Sequence, residues 1–228
     1  MQEIIEGTYR WTAPHPEWRT RIEWGHEVAC FAVADAGRVI LIDPLLPTDD
    51  RREAVLATLD RLAADAGRVH VTITVPYHTR SAEELYLRYR TQTETAIWGH
   101  GAVAKRFRDP GTPLRIIEPG AVIAGGAATG FPIGNPRRHE MPLLFPAQRA
   151  LAFGDTVIGI DGRLRVWQQA STDPAWYEQR FVPTLRPLLD LDVERVLVTH
   201  GPPVLRSGRR ALEDALAAGP WDYRTSGG

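Results

Sequence analysis

Thr74-Val75-Pro76-Tyr77-His78-Thr79-Arg80-Ser81 joins two patterns of different period. Ahead of it lies a short β-branched run, Val69 to Val75, which reads as a buried strand. Behind it, Ala82 to Arg90 reads as a helix. Working upstream, Arg51 to Ala66 carries Val55, Leu56, Leu59, Leu62 and Ala63 at helical spacing, with Gly67 where a C-terminal cap belongs. Before that helix, Val28 to Val33 and Val39 to Ile42 form a hairpin around Asp35-Ala36-Gly37, ending at Asp43-Pro44. Strand alternating with helix implies packed layers with a sheet inside.

Downstream, Pro110 to Pro146 is rich in Gly and Pro and reads as short strands joined by turns. Ala150 to Phe153 and Val157 to Ile160 are strand signals flanking Gly154-Asp155. A helix is expected from Ala175 to Leu189, interrupted near Pro183 and Pro187. Val193 to Val198 is the last buried strand and runs into Thr199-His200-Gly201-Pro202-Pro203. A helix over Arg209 to Ala218 follows, and residues 220–228 are expected to form a loose tail. With no fixed-period repeat and no long linker, residues 1–228 are expected to form a single domain.

Composition excludes some classes of function. The 228 residues include 27 basic and 28 acidic side chains, a net charge of −1, so no global pull toward nucleic acid or an anionic membrane follows. Every basic residue except Lys105 is arginine. The first residues lack the basic start and apolar run of a secretory signal, and no apolar stretch approaches the roughly 20 residues of a membrane span. The single cysteine, Cys30, lies in an apolar run and reads as a small buried hydrophobe. The cytoplasm is the expected compartment.

Four landmarks, in order, carry a resemblance: the hairpin ending Ile42-Asp43-Pro44, the stretch Thr74 to Ser81, the turn Phe153-Gly154-Asp155-Thr156, and Val198-Thr199-His200-Gly201-Pro202-Pro203. The chain resembles the metallo-β-lactamase superfamily, which includes glyoxalase II-like and lactonase-like hydrolases. The resemblance implies an α/β, four-layer αββα sandwich. In that superfamily the second landmark reads Thr-His-x-His-x-Asp-His. Here Pro76 stands at the first histidine, His78 at the second, Arg80 at the aspartate and Ser81 at the last histidine. Asn135, in Gly134 to His139, occupies another ligand position. Asp155 matches the bridging carboxylate and His200 the final histidine.

These replacements have chemical consequences. Zinc takes imidazole, carboxylate or thiolate; Pro76 offers no side-chain donor, and Ser81 and Asn135 are poor substitutes for histidine. Arg80 puts a permanent cation where a second metal would sit. The resemblance thus implies a superfamily member without the dinuclear zinc site. Two readings of the remaining set stay open. In the favoured one no metal or other cofactor binds, and Arg80 compensates Asp155 as a bidentate partner. In the other, His78, Asp155 and His200 hold one divalent ion, such as zinc, iron or manganese.

His78, Arg80, Asp155 and His200 are therefore the candidate catalytic residues, with Tyr77, Ser81, Asn135, Trp24 and His26 as further ligand-pocket candidates. Taken singly, each has a plainer explanation: His78 as a strand-end histidine, Asp155 as a turn former, His200 as part of a strand-terminating turn. Asp43 reads as a structural side chain that holds a loop by Asx-type hydrogen bonds. The favoured function is binding of a small molecule in the ancestral cavity, with metal-independent catalysis or none. The rivals are a mononuclear metal-dependent hydrolase of an ester, lactone or thioester, and a non-catalytic interaction scaffold.

Overall fold

A computed structural model describes residues 1–18, 25–134, 137, 139–168 and 173–221. Trp24 and Asn135, two of the pocket candidates, lie outside the described residues, as does 222–228.

The larger sheet contains β1 (Gln2–Ile5), β2 (Thr8–Pro14), β3 (Glu27–Asp35), β4 (Arg38–Ile42), β5 (Arg68–Ile73), β6 (Glu94–Gly99) and β7 (Arg115–Ile116), in that spatial order. Its first four strands meander antiparallel, and β4 to β7 run parallel. The parallel steps require crossovers: α1 (Arg51–Ala66) and α2 (Ala82–Tyr89) supply the first two, and the third carries a 3-10 stretch at Gly101–Arg106. A second sheet is built from β8 (Val122–Ile123), β9 (Ala128–Gly130), β10 (Leu143–Phe145), β11 (Ala150–Phe153) and a later strand, β14 (Arg195–Val198). Between the last two in sequence, β12 (Val157–Ile160) and β13 (Arg163–Trp167) form a hairpin. β14 (Arg195–Val198) pairs in parallel with β11.

The pleat sorts the core into three interfaces. Along β3, Val28, Cys30 and Ala32 face α1 and α2, whereas Ala29, Phe31 and Val33 face the second sheet. β11 repeats the division, with Ala150 and Ala152 toward the first sheet and Leu151 and Phe153 toward the outer helices. Strands buried on both faces read as continuous apolar runs, as these do. Two sheets back to back, each with helices on its outer face, make the four-layer αββα sandwich.

The second helical layer differs from expectation. Residues 174–190 do not form one interrupted α-helix: α3 (Pro174–Trp176) passes into a π-turn at Tyr177–Phe181 and a 3-10 stretch at Val182–Asp190. Pro183 and Pro187 lack the N–H donors that continuous i→i−4 bonding needs. Tyr177, Phe181, Leu185 and Leu188 still reach the core together with Leu212 and Ala215 of α4 (Gly208–Ala217). The expected tail also starts too early: β15 (Pro220–Trp221) pairs in parallel with β13. No helix among the described residues is long and apolar enough to cross a membrane.

Candidate ligand-binding cleft

Two pairs of parallel strands, one in each sheet, deliver the polar residues from their C-terminal ends. β4 leads to Asp43, β5 to the turn 74–81, β11 to Gly154-Asp155 and β14 to Thr199-His200. Ligand crevices of α/β sheets open at such ends. Backbone bonds tie the two sheets there, from Ala29 N–H to the Thr199 carbonyl (2.8 Å) and from Met141 N–H to the Thr74 carbonyl (2.8 Å). The approach is tight enough to demand glycine at 154, where a Cβ would lie 2.2 Å from Cγ2 of Val75.

Asp43 is fully buried and sits at φ 45, a left-handed conformation that costs energy in a residue other than glycine. Its carboxylate accepts Thr74 N–H (2.8 Å), the Thr74 hydroxyl, and Nδ1–H of His78 (2.9 Å). Asp43 is structural, but not through the local Asx-type bonds expected: it braces Thr74, 31 residues away, and orients His78, which the sequence does not reveal. On the other wall, the buried Glu140 carboxylate accepts the N–H groups of Gly154 (3.1 Å) and Thr156 (3.1 Å) and the Thr156 hydroxyl (2.5 Å). It fixes the turn that presents Asp155.

Asp155 collects donors from three sides. Nε2 of His200 lies 3.1 Å and Nε2 of His78 3.2 Å from Oδ1, and the Tyr77 hydroxyl donates to Oδ2 at 2.9 Å. Arg80, at φ 37, donates from Nη1 to the Asp43 carbonyl (3.1 Å) and places Nη2 3.1 Å from Nε2 of His78. The expected bidentate pair between Arg80 and Asp155 is therefore absent among the described residues. Arg80 is spent on Asp43 and His78, and two imidazoles and a phenol hold the carboxylate instead.

Burial is the largest influence on all three buried groups and disfavours charge. For Asp155 it is overcome by His78 and His200, which hold the carboxyl well below its ordinary range. For His200 burial prevails and lowers the pKa. For His78, burial and Arg80 are outweighed by the Asp155 and Asp43 carboxylates, and the pKa is raised. Nε2 of His78 thus faces an acceptor and a donor. Protonated, it donates to Asp155; neutral, it accepts from Arg80.

These groups line one cleft of about 500 Å³ whose walls include Tyr77, His78, Arg80, Asp155, Trp167 and His200. Of the other candidates, Ser81 is buried, and its Oγ accepts the N–H of Leu46 (2.9 Å), so it braces a loop outside the cleft. His26 is exposed and packs edge-on against Trp18, also outside the cleft. Sequence reasoning passed over His15, Glu17, Glu83, Arg106 and Arg108, which also line it. Only their positions in space unite them, so no sequence motif marks them.

The residues present do not fit a dinuclear zinc centre. Pro76 has no side-chain donor, Ser81 faces Leu46, and a guanidinium stands at the third position. A single ion is a closer case. Separations of 3.1 and 3.2 Å from Asp155 to the two imidazole nitrogens suit donors around an ion with bonds of about 2.0–2.1 Å. A metal needs the bare Nε2 lone pair of His78, however, and in both protonation states that position is already engaged. Among the described residues, no group of three or more His, Cys, Asp or Glu side chains is arranged to hold a metal ion.

No family profile and no curated protein matches the sequence. Solved structures do. The DIM-1 metallo-β-lactamase superposes with a TM-score of 0.67 at 13% identity, over 95% of this chain and 94% of that one. A metallo-β-lactamase from Erythrobacter litoralis gives 0.63 at 18% identity, over 95% and 93%. A metallo-β-lactamase family protein from Thermus thermophilus gives 0.62 at 17% identity, over 95% and 80%. Identity this low carries architecture and nothing finer, and the architecture of this chain is the metallo-β-lactamase fold.

Proposed function

We propose that the protein binds a small molecule in the cleft at the strand ends and does so without the dinuclear zinc chemistry of the fold. The observation that carries this reading is the Arg80 guanidinium, with Nη2 3.1 Å from Nε2 of His78. It supplies a fixed positive charge and a directional donor where the fold's second metal would stand. A ligand entering the cleft meets His78, Tyr77 and Arg80 on one side and Asp155 with His200 on the other. His78 can pass a proton to or from a bound group, because its two states are each stabilised by a different neighbour. The N–H groups that Arg80 does not commit to Asp43 and His78 can polarise a carbonyl oxygen. Metal-free proton transfer or simple binding both use this arrangement.

The experiment combines ligand-observed NMR against a fragment library with metal analysis of protein purified without chelator. Binders that are lost in H78A and D155N, while both variants remain folded, support the reading. A second reading, a mononuclear metal-dependent hydrolase of an ester, lactone or thioester, is favoured by the convergence of His78, Asp155 and His200. Near-stoichiometric zinc, iron or manganese that disappears in H200A would establish that rival and remove the metal-free reading. A third outcome, no fragment in the cleft of wild-type protein, would leave the fold as a scaffold.

A further inference from the structure

The cleft adjoins a second hollow of about 330 Å³, lined by Pro76, Ala102, Lys105, Arg137, His139 and Glu140. Tyr77 and Arg106 belong to both, so they form the partition between them. Tyr77 is 45% exposed at this boundary, its ring edge-on to that of His78.

Formal charges in the trough nearly cancel, with Arg80, Lys105, Arg106, Arg108 and Arg137 against Glu17, Glu83, Glu140 and Asp155. The bonding capacity is less balanced, because among the described residues lining the trough only the exposed Glu17 keeps an uncommitted carboxylate. Asp155 and Glu140 are buried and already accept the bonds described above. Glu83 accepts the backbone N–H groups of Arg108 (2.9 Å) and Asp109 (3.0 Å) and the Thr112 hydroxyl (3.1 Å). Arg80 is spent on Asp43 and His78, and Arg137 lies over the Trp176 ring, its centroid 5.0 Å away. Lys105, Arg106 and Arg108 are exposed, and among the described residues no carboxylate lies within ion-pair distance of them.

Their placement is fixed. Lys105 and Arg106 end the 3-10 stretch Gly101–Arg106, which is anchored by the fully buried Val103. Phe107, also buried, pins the next residue, and Glu83 clamps the turn that carries Arg108 to the start of α2. Unspent cationic donors on a braced loop, beside a half-exposed aromatic ring, suit an oxyanion joined to a flat apolar body.

We infer that the ligand of this cleft is an anionic small molecule, its phosphate or carboxylate group held by Arg106 and Arg108 and its apolar body lying on Tyr77. This rests on the small-molecule reading above and names the ligand class. Phosphate and carboxylate share the recognition chemistry, and the phosphate's second charge separates them.

Isothermal titration with phenyl phosphate, benzoate and benzyl alcohol tests it, using wild-type protein, R106Q/R108Q and the distant charge control R210Q. Phenyl phosphate or benzoate is expected to bind wild type and R210Q alike. Binding should fall at least about tenfold in R106Q/R108Q, and also with added salt. Both variants should keep the wild-type unfolding midpoint, because the substituted side chains are exposed. Tighter binding of phenyl phosphate than benzoate assigns the group as phosphate, and the reverse order as carboxylate. Benzyl alcohol binding as tightly as either anion, or an unchanged anion affinity in R106Q/R108Q, overturns the charge assignment and leaves the small-molecule cleft standing. Silence from all three probes overturns the ligand class, and failure of the fragment screen as well would remove the cleft reading beneath it.

Discussion

Nη2 of Arg80 stands 3.1 Å from Nε2 of His78. That imidazole nitrogen also lies 3.2 Å from Oδ1 of Asp155. A guanidinium cannot give up its proton, so the contact with Arg80 stabilises His78 only while Nε2 carries a lone pair. The contact with Asp155 stabilises it only while Nε2 carries a hydrogen. The imidazole therefore sits between two partners with opposite demands, as part of a closed hydrogen-bonded set.

Removing Arg80 should reopen that set. In R80A, Nε2 of His78 loses its donor and the cleft loses a positive charge, so affinity for zinc should rise at least about tenfold over wild type. Titration of chelator-treated protein with zinc, followed calorimetrically, reads this directly. An unchanged affinity would mean that Arg80 does not block the ion.

The second prediction concerns Asp43, which accepts two donors from Thr74 and one from His78 while fully buried. In D43N the amide keeps the shape but turns an N–H₂ toward at least one donor, leaving buried groups mismatched. Stability should fall by about 2–4 kcal/mol in urea unfolding. A loss below about 0.5 kcal/mol, within the range of a surface change, would show that the network is dispensable.

Much of this architecture is legible in the sequence, and particular residues show why. Val55, Leu59, Leu62 and Ala63 with Gly67 at φ 71 define α1, because one helix face and one αL cap are local signals. The β3–β4 hairpin and β11 are apolar runs buried on both faces and read as such. β1, β2, β6 and β13 went unrecognised; in β2 (Thr8–Pro14) only Thr8, Trp11 and Ala13 are buried, which gives no clean alternation. At the cleft, His78, Asp155 and His200 stand out through their order along the chain. The bond from His78 to Asp43, 35 residues apart, and the staple from Glu140 to Thr156 depend on side-chain geometry that no local pattern encodes.

Glu140 supplies the third prediction. Its carboxylate holds Gly154 N–H, Thr156 N–H and the Thr156 hydroxyl. E140Q keeps one acceptor oxygen and presents an amide N–H₂ to the remaining donors. Stability should drop by about 1–3 kcal/mol, and hydrogen exchange of the 154 and 156 amides should quicken relative to the β11 core. Unaltered protection of both amides would argue against the staple.

The fourth prediction is a pH dependence carried by His70, which is buried on β5 and lies away from the cleft. Nδ1 of His70 accepts the indole N–H of Trp98 at 3.2 Å, so protonation would set hydrogen against hydrogen. Burial, with help from Arg115, Arg38 and Arg68 and against the pull of Glu94, lowers its pKa to about 4. In the unfolded chain an ordinary histidine titrates near 6.5. Between those values the unfolded state binds more protons than the folded one, so stability rises with pH across that window. The contribution is complete above about pH 6.5 and is lost progressively as pH falls toward 4, by up to roughly 3 kcal/mol. H70Q keeps an acceptor for Trp98 and cannot titrate, so its unfolding free energy should fall less steeply than that of wild type between pH 7 and 5. Parallel pH profiles for the two proteins would show that His70 is not the titrating group.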